Sequence, residues 1–509
     1  MDAKEPEPKS VPTTAPVKSA DMSLAHPSSG SEQSTSDAAL LRRIDWRILP
    51  IMLLAYFLQF LDKVCLNYAN VMNLQSDLNM SGNDFSWLAT AFFIAYAVAE
   101  GPQGFLLQWY PVTKVLGCNI VLWGVIICAS AGAQKYADIL ALRILLGVTE
   151  AVIAPALTIY TSMWYTRRES TPRFGLWYCG LGMGQIIGGL ISFGAQHAPP
   201  DLALSGWRVM FLVIGLVNVL AGILVLALLP STPGTARFLA TAEKERIEER
   251  LREDNAGVGK KTFHGPSIWT VLFDPQSWLL MLLTILTVIP SGVIVTYSSI
   301  LIRGFGYTPR ESALLNMPSG VVSILSTLAC TFAIQKGYAR WLMIDILLIP
   351  TLVGACLMSF LPDDNQAGLL VGIYMVNTTV APTILIYSWT GTNFKRYTGK
   401  VTSCAMIQVG FGVANIIGPQ TFQARDAPDY VPAKITIVVT NAVAIGICTG
   451  LRVLYGVRNA QADREGISAE SWVERKMEKA DHGGFDEDGA GRFRKYRRTM
   501  VGSSRHSRS

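Results

Sequence analysis

Long apolar stretches recur along the chain from Ile48 onward. Each is about twenty residues long, which an α-helix needs, at about 1.5 Å per residue, to cross roughly 30 Å of hydrocarbon. The pattern therefore predicts twelve transmembrane helices, six on each side of a polar segment. The predicted spans are 48–68, 87–109, 115–133, 139–160, 174–193, 209–229, 278–300, 313–334, 342–361, 369–387, 401–422 and 435–455.

The polar segment between the two sets of spans contains an amphipathic run at 242–251, which predicts a helix in a linker. The expected fold is an all-α membrane protein, with its twelve helices in two six-helix bundles. Both tails are polar and charged, with few large apolar side chains, so we expect them to be disordered. The predicted domains are a tail over 1–44, a bundle over 45–230, the linker over 231–275, a bundle over 276–456 and a tail over 457–509.

Composition excludes a soluble enzyme and a nucleic-acid-binding protein. Of the 509 residues, 50% are hydrophobic and only 16% are charged, against about 25% charged in soluble proteins. The eight cysteines lie mostly in apolar stretches and show no metal-ligand spacing. We therefore expect them to pack as small apolar side chains, and we expect no metal and no cofactor.

Lysine and arginine are unequally divided between the predicted loops. Loops on one side contain residues such as Lys114, Arg173 and Lys336, whereas the opposite loops have fewer cations and include Asp77 and Asp84. Since cytoplasmic loops carry the excess of positive charge, we expect both termini and the linker to be cytoplasmic. We expect a monomer in the lipid bilayer of the plasma membrane.

Four ionisable side chains fall within the predicted spans, and a charge at mid-bilayer costs about 2.5–3.5 kcal/mol on insertion scales. Asp62 and Lys63 are adjacent on the first span. Arg143 and Glu150 are seven residues apart on the fourth, which places them on one helix face about 10.5 Å apart. That separation is too long for direct contact, so each needs a partner on another helix.

We expect Asp62 to pair with Arg143 and Lys63 with Glu150, which makes this group of four, called the tetrad below, electrically neutral. A buried cation suits a substrate carboxylate, and a carboxylate in a changing environment can take up and release a proton. The tetrad thus predicts anion binding at Lys63 and Arg143 and proton coupling at Asp62 and Glu150. Two alternatives stay open: a lattice of ion pairs that only fixes helix register, and a position of Asp62 and Lys63 that reaches water.

Two further polar side chains lie at membrane depth. Glu100, on the second span, is equally compatible with packing near the cytoplasmic end and with a function. Gln185, on the fifth span, suits either substrate binding or a hydrogen bond between helices. The glycines at 180, 184 and 188 share one face of that span and predict the close approach of another helix.

The chain resembles the major facilitator superfamily and, within it, the allantoate permease family of the anion:cation symporter branch. The resemblance covers about 45–456 and rests on four motifs. These are Phe60-Leu61-Asp62-Lys63 with Leu66-Asn67-Tyr68-Ala69-Asn70, the Arg143…Gly147…Glu150 signature, Trp164-Tyr165 with Glu169, and Gly206-Trp207-Arg208. In one respect the chain departs from the superfamily, because Gln108 stands where an acid is usual.

The resemblance implies roles for several residues. Asp62, Lys63, Arg143 and Glu150 match positions that serve substrate binding and protonation in proton-coupled sugar-acid relatives. Tyr96 matches a tyrosine that contacts substrate, and Gln185 matches a binding position on the fifth helix. The second bundle is expected to complete the pocket, with Tyr297, Asn377 and Asn415 as candidates; bonding between helices is the alternative for each.

The function predicted is a secondary transporter for proton-coupled uptake of a small organic anion by alternating access, with no enzymatic activity. The resemblance extends the substrate class to ureido acids, vitamin carboxylates such as nicotinate and related compounds. An exporter of a secondary metabolite or toxin shares the fold and is the main alternative. A receptor-like sensor is a third possibility, although such proteins carry long folded extensions, whereas both tails here are short and polar.

Overall fold

The computed structural model describes residues 29–197, 204–255, 266–362, 364–393, 397–426 and 430–464, and within these ranges every regular element is a helix. The first half contains α1 (Ser29–Val71), α2 (Leu74–Asp77), α3 (Asp84–Trp109), α4 (Val112–Ser130), α5 (Tyr136–Glu150), α6 (Ile153–Trp164), α7 (Arg167–Tyr178), α8 (Gly180–Ala195) and α9 (Gly206–Leu228). The linker contains α10 (Thr241–Asn255) and α11 (Pro266–Phe273). The second half contains α12 (Pro275–Gly304), α13 (Pro309–Leu315), α14 (Met317–Gln335), α15 (Arg340–Phe360), α16 (Gln366–Val376), α17 (Val380–Asn393), α18 (Tyr397–Gln420) and α19 (Val431–Arg464).

The predicted fold class is confirmed. In the described ranges, 11 helical stretches are long and apolar enough to cross a membrane. The remaining predicted span is α3, which has 26 residues and is long enough, but whose sequence Glu100-Gly101-Pro102-Gln103 makes it less apolar. The chain is therefore a multi-pass membrane protein with close to twelve spans.

Three spans are each interrupted a few residues before a proline, which hydropathy alone does not predict. Pro155, Pro318 and Pro382 each follow an interruption by two to four residues. Proline has no backbone N–H and its ring clashes with the carbonyl four residues earlier, so it breaks the helix on its N-terminal side. The breaks separate α5 from α6, α13 from α14, and α16 from α17, where a 3₁₀ turn spans Asn377–Thr379.

The start of α1 corrects the predicted tail. Residues 29–44 are helical where a disordered segment is predicted. Leu40, Leu41 and Ile44 have helical spacing and extend the apolar pattern of the first span, which favours the longer helix. Residues 1–28 and 465–509 of the predicted tails lie outside the described residues. So do Lys395 and Arg396, which the sequence predicts to lie in a loop on the same side as Lys114, Arg173 and Lys336.

Helix packing follows the two halves of the chain. In the first half α4 packs against α9 and α3 against α5; in the second, α12 packs against α18 and α15 against α16 and α19. The halves meet where α8 contacts α14 and where α3 contacts α18. We call the end of the spans that carries Lys114, Arg173 and Lys336 the basic end, and the opposite end, with Asp77 and Asp84, the acidic end.

Glycines bring α8 into contact with both halves. A Cβ built on Gly180 would lie 2.7 Å from the Phe57 nitrogen of α1, so the predicted glycine face does contact another helix. On the opposite side of α8, a Cβ on Gly182 would lie 2.4 Å from the Gly320 oxygen of α14. Because neither glycine has room for a side chain, α8 lies directly between the two backbones.

The linker helix predicted at 242–251 is present as α10. Its Arg250 forms an ion pair with Glu169, which also closes the capping box at the start of α7. Phe238, just before α10, stacks on Trp164 with ring centroids 6.2 Å apart. These contacts attach the linker to the basic end of the first half.

Candidate functional site

The tetrad forms two ion pairs in the interior of the first half. The Arg143 guanidinium lies 3.7 Å from the Asp62 carboxylate, and the Lys63 Nζ atom lies 3.2 Å from Glu150 Oε2. These are the two pairs predicted from the sequence. Each pair joins α1 to α5, so the four charges cancel within one small region of the protein.

Gly147 explains how a third helix reaches this region. It lies between Arg143 and Glu150 on α5, and a Cβ built on it would approach the Phe92 carbonyl oxygen of α3 to 2.3 Å. Only glycine permits that approach. As a result Phe92 and Tyr96 of α3 face Lys63, with its Nζ atom 5.7 Å and 5.6 Å from the two ring centroids.

Aromatic rings also surround the second cation. The Arg143 guanidinium carbon lies 5.7 Å from the ring centroid of Phe211 on α9. Aromatic faces stabilise cations by their quadrupole while excluding water. Both cations of the tetrad therefore have one carboxylate and at least one aromatic face as partners.

The four side chains differ in exposure. The Lys63 side chain is 17% exposed, whereas that of Glu150 is 0% exposed, and Asp62 and Arg143 are buried as well. Beyond the ion pairs, the oxygens of Asp62 and Glu150 accept no hydrogen bond from the described residues. Lys63 is therefore the most accessible member of the tetrad.

A small cavity lies where the two halves meet, beside α1. The first half contributes Phe60, Val64 and Gln185, and α12 contributes Ser291, Ile294, Val295 and Ser298. Asn377 and Val380 complete the lining from the break between α16 and α17. Two predicted residues, Gln185 and Asn377, thus line one cavity. The same cavity is lined by Phe60 and Val64 of α1, the helix that also carries Lys63.

Gln185 also takes part in a polar network that joins the halves. Its side chain donates to Asn316 Oδ1 at 3.1 Å, and the Asn316 amide donates to the Tyr68 hydroxyl at 3.2 Å. The Tyr68 hydroxyl in turn donates to the Gln185 backbone oxygen at 3.1 Å. Asn316 lies at the break between α13 and α14 and carries no sequence signal that singles it out. The hydrogen bond foreseen as the alternative for Gln185 is therefore present, alongside its place in the cavity.

Tyr297 and Asn415 lie away from the cavity lining. The Tyr297 hydroxyl is 2.6 Å from Ser86 Oγ of α3, and its ring stacks on Phe422 at 4.1 Å. Asn415 donates to the Phe411 carbonyl of its own helix at 2.9 Å. Tyr297 thus belongs to the contact between α3 and the second half near the acidic end, and its predicted substrate role stays a prediction, as does that of Asn415.

At the basic end, a carboxylate connects the halves. Gln408 of α18 donates a hydrogen bond to Glu100 of α3 and accepts one from the Tyr387 hydroxyl of α17. Sequence reasoning singled out Glu100 but missed Gln408 and Tyr387. Only the polarity of Gln408 inside an apolar span signals it, and its partner cannot be read from spacing.

Comparison with known proteins decides the family. Residues 52–419 match the family model of the Major Facilitator Superfamily. The chain belongs to the major facilitator superfamily. The thiamine pathway transporter THI73 of Saccharomyces cerevisiae is 34% identical over 84% of this chain and 81% of its own length. Allantoate permease of the same organism is 31% identical over 88% of this chain and 84% of its own. The resemblance read from the motifs is confirmed.

Among solved structures, the superfamily's proton:xylose symporter XylE, bound to 6-bromo-6-deoxy-D-glucose, aligns with a TM-score of 0.64. It covers 80% of this chain and 95% of XylE at 14% identity, which supports the fold alone. Together with the family match, these relatives establish that this major facilitator protein is a transporter of a small molecule and not an enzyme.

Proposed function

We propose that this transporter is a proton-coupled symporter that takes up a small organic anion. The observation that carries the proposal is the pairing of Lys63 with Glu150, 3.2 Å apart, in a buried group whose net charge is zero. Lys63 is the most exposed member of the tetrad, with 17% of its side chain accessible, so an incoming carboxylate can reach it.

Exchange of partners at Lys63 explains the coupling. When Glu150 takes a proton, Lys63 loses its counterion, and a substrate carboxylate replaces it. Proton and anion then enter together, because either one alone leaves an uncompensated charge, which costs several kcal/mol in a buried site. When the anion leaves at the other end, Lys63 pairs with Glu150 again and expels the proton.

The second pair keeps the site ordered during this exchange. Arg143 and Asp62 are both buried, and Arg143 packs on Phe211. Arg143 therefore stays paired with Asp62 while Lys63 changes partners, and it adds positive potential that favours the anion. Tyr96 lies beside Lys63, and Gln185 and Asn377 line the adjacent cavity, so we assign them to the uncharged part of the substrate.

One of the related transporters supports an anionic substrate. Allantoate permease is named for a ureido carboxylate, and it shares 31% identity with this chain.

We place the basic end on the cytoplasmic side of the plasma membrane, since positive loops face inward. One copy of the chain supplies all four charges of the tetrad, so a monomer is sufficient.

Uptake measurements in a transport-deficient cell test the proposal. A panel of radiolabelled compounds should include allantoate and nicotinate as carboxylates, thiamine as a cation and xylose as a neutral compound. We expect uptake of one or more carboxylates, rising as the external pH falls from 7.5 to 5. Transport of thiamine or xylose but no carboxylate would reject the anion, and uptake that does not vary with pH would reject the coupling.

A further inference from the structure

Glu100 is a carboxylate inside a membrane span that the exchange at the tetrad does not use. It lies on α3, four residues beyond Tyr96 and so about 6 Å closer to the basic end. Its partner, Gln408, belongs to α18 in the other half. The two helices touch here, because a Cβ built on Gly412 would lie 3.3 Å from the Ala97 Cβ atom.

The hydrogen bonds at Glu100 have a fixed direction. The Tyr387 hydroxyl donates to Gln408 Oε1, and Gln408 Nε2 donates to Glu100 Oε1. An amide that accepts on its oxygen and donates from its nitrogen needs an acceptor oxygen, and an ionised carboxylate is a better acceptor than a protonated one. A bond to an ionised acceptor is about twice as strong as a bond between neutral groups, so protonation of Glu100 weakens the connection between the halves.

Glu100 lies between the tetrad and the basic end. The titratable side chains near it are Tyr96 on α3 and Tyr387 on α17. Tyr178 on α7 and Cys404 on α18 lie near Tyr387, and Lys63 and Glu150 lie beyond Tyr96. Among these side chains, Glu100 is the carboxylate that lies beyond the tetrad.

We propose that Glu100 is a second proton-binding site, which holds the basic end of the pathway closed while it is ionised and lets it open when it is protonated. This proposal rests on the proposed function, since it supplies the step that links arrival of the proton to opening of the basic end. The proton binds to a Glu100 carboxylate oxygen, and the bond from Gln408 is weakened as a result.

Reactivity of Cys404 reports the opening without any substrate. Cys404 lies one helical turn from Gln408, toward the basic end. The full-length protein, purified with its native cysteines, is treated with N-ethylmaleimide at pH 7.5 and at pH 5, and the rate at Cys404 is followed by mass spectrometry. Each variant rate is divided by the wild-type rate at the same pH, because thiol reactivity itself depends on pH.

Glu100→Gln imitates the protonated side chain. We expect Cys404 to react about fivefold to tenfold faster than in the wild type at pH 7.5, and at nearly the wild-type rate at pH 5. Gln408→Leu removes the partner instead and should give the same two ratios, which keeps the test available if Glu100→Gln does not fold. Asp345→Asn makes the same chemical change within the second half, where Asp345 accepts from Thr449 at 3.3 Å, and should leave both ratios near one.

A ratio near one at pH 7.5 for both Glu100→Gln and Gln408→Leu overturns the closing role of Glu100. A raised ratio that is equal at the two pH values overturns its role as a proton site. The experiment uses neither a substrate nor a proton gradient. Its failure is therefore distinct from failure of anion symport, which the uptake measurements detect separately.

Discussion

Lys63 and Glu150 lie 3.2 Å apart, and Lys63 is 17% exposed while Glu150 is completely buried. The cation is thus the accessible half of the pair, and the carboxylate is the protected half. In the proposed mechanism, an incoming anion binds at Lys63. Removal of either partner leaves the other as an unpaired charge in a protein interior, which costs about 3–5 kcal/mol.

Lys63→Gln tests the exposed cation. We expect uptake to fall by about 100-fold or more, because the substrate loses its counterion and Glu150 loses its own. The double variant Lys63→Gln with Glu150→Gln restores neutrality and should recover folded protein at the cell surface but not uptake. Uptake near the wild-type level in Lys63→Gln would contradict the assigned role.

Arg143→Gln tests the buried cation. Since Arg143 pairs with Asp62 and adds positive potential, we expect uptake to be abolished. The double variant Arg143→Gln with Asp62→Asn leaves no unpaired charge and should retain protein at the cell surface without uptake. Arg143→Lys keeps the charge but loses the planar fork, so we expect partial uptake. The measurement is uptake normalised to surface protein, and full transport by Arg143→Gln would remove Arg143 from the binding site.

Gly147→Ala tests the approach of α3 to the tetrad. The new Cβ would lie 2.3 Å from the Phe92 carbonyl oxygen, a backbone atom that cannot rotate away. We expect a loss of about 1–3 kcal/mol in stability, seen as a lower melting temperature of the purified protein, together with reduced uptake. Gly104→Ala on α3 is the matched control, because no atom lies within 4 Å of its new Cβ. Equal melting temperatures for the two variants would show that α3 does not contact α5 at Gly147.

Asn316→Leu tests whether the hydrogen bonds of Asn316 help to hold the two halves together at the acidic end. It removes the bonds between Asn316 and both Gln185 and Tyr68, which join the two halves. We expect spin labels at Ser81 and Arg425, on loops at the acidic end, to move apart in a larger fraction of molecules. Asn218→Leu makes the same change at an asparagine that donates only within α9, at 3.1 Å to Ile214, and should leave the distances unchanged. Identical distance distributions for both variants would show that Asn316 does not hold the halves together there.

Hydropathy predicted most of the fold, and charge predicted the two ion pairs of the site. The number of spans follows from the number of apolar stretches that are long enough to cross the hydrocarbon. The two ion pairs follow from the cost of an unpaired charge in that medium. Asp62, Lys63, Arg143 and Glu150 could pair in only one way that uses both helices and leaves no charge over. The structure contains that arrangement.

The hydrogen-bond partners of amide and hydroxyl side chains could not be predicted from charge or hydropathy. Gln408 and Asn316 are uncharged, so the sequence gives no cost that identifies their partners, and both partners come from the other half of the chain. The breaks at Pro155, Pro318 and Pro382 leave a signal in the sequence, but whether a proline bends or interrupts a membrane helix depends on the neighbouring helices. The position of Tyr297 against Ser86 and Phe422 also depends on how neighbouring helices pack.

Proton-driven accumulation in liposomes tests the central claim most directly. The purified protein is reconstituted, the transported carboxylate is placed at equal concentration on both sides, and the outside is made acidic. We expect the wild type to concentrate the anion inside, and Glu150→Gln to exchange labelled for unlabelled anion without concentrating it. Accumulation by Glu150→Gln equal to that of the wild type, or no accumulation by a wild-type protein that still exchanges the anion, would contradict coupling through the Lys63 and Glu150 pair.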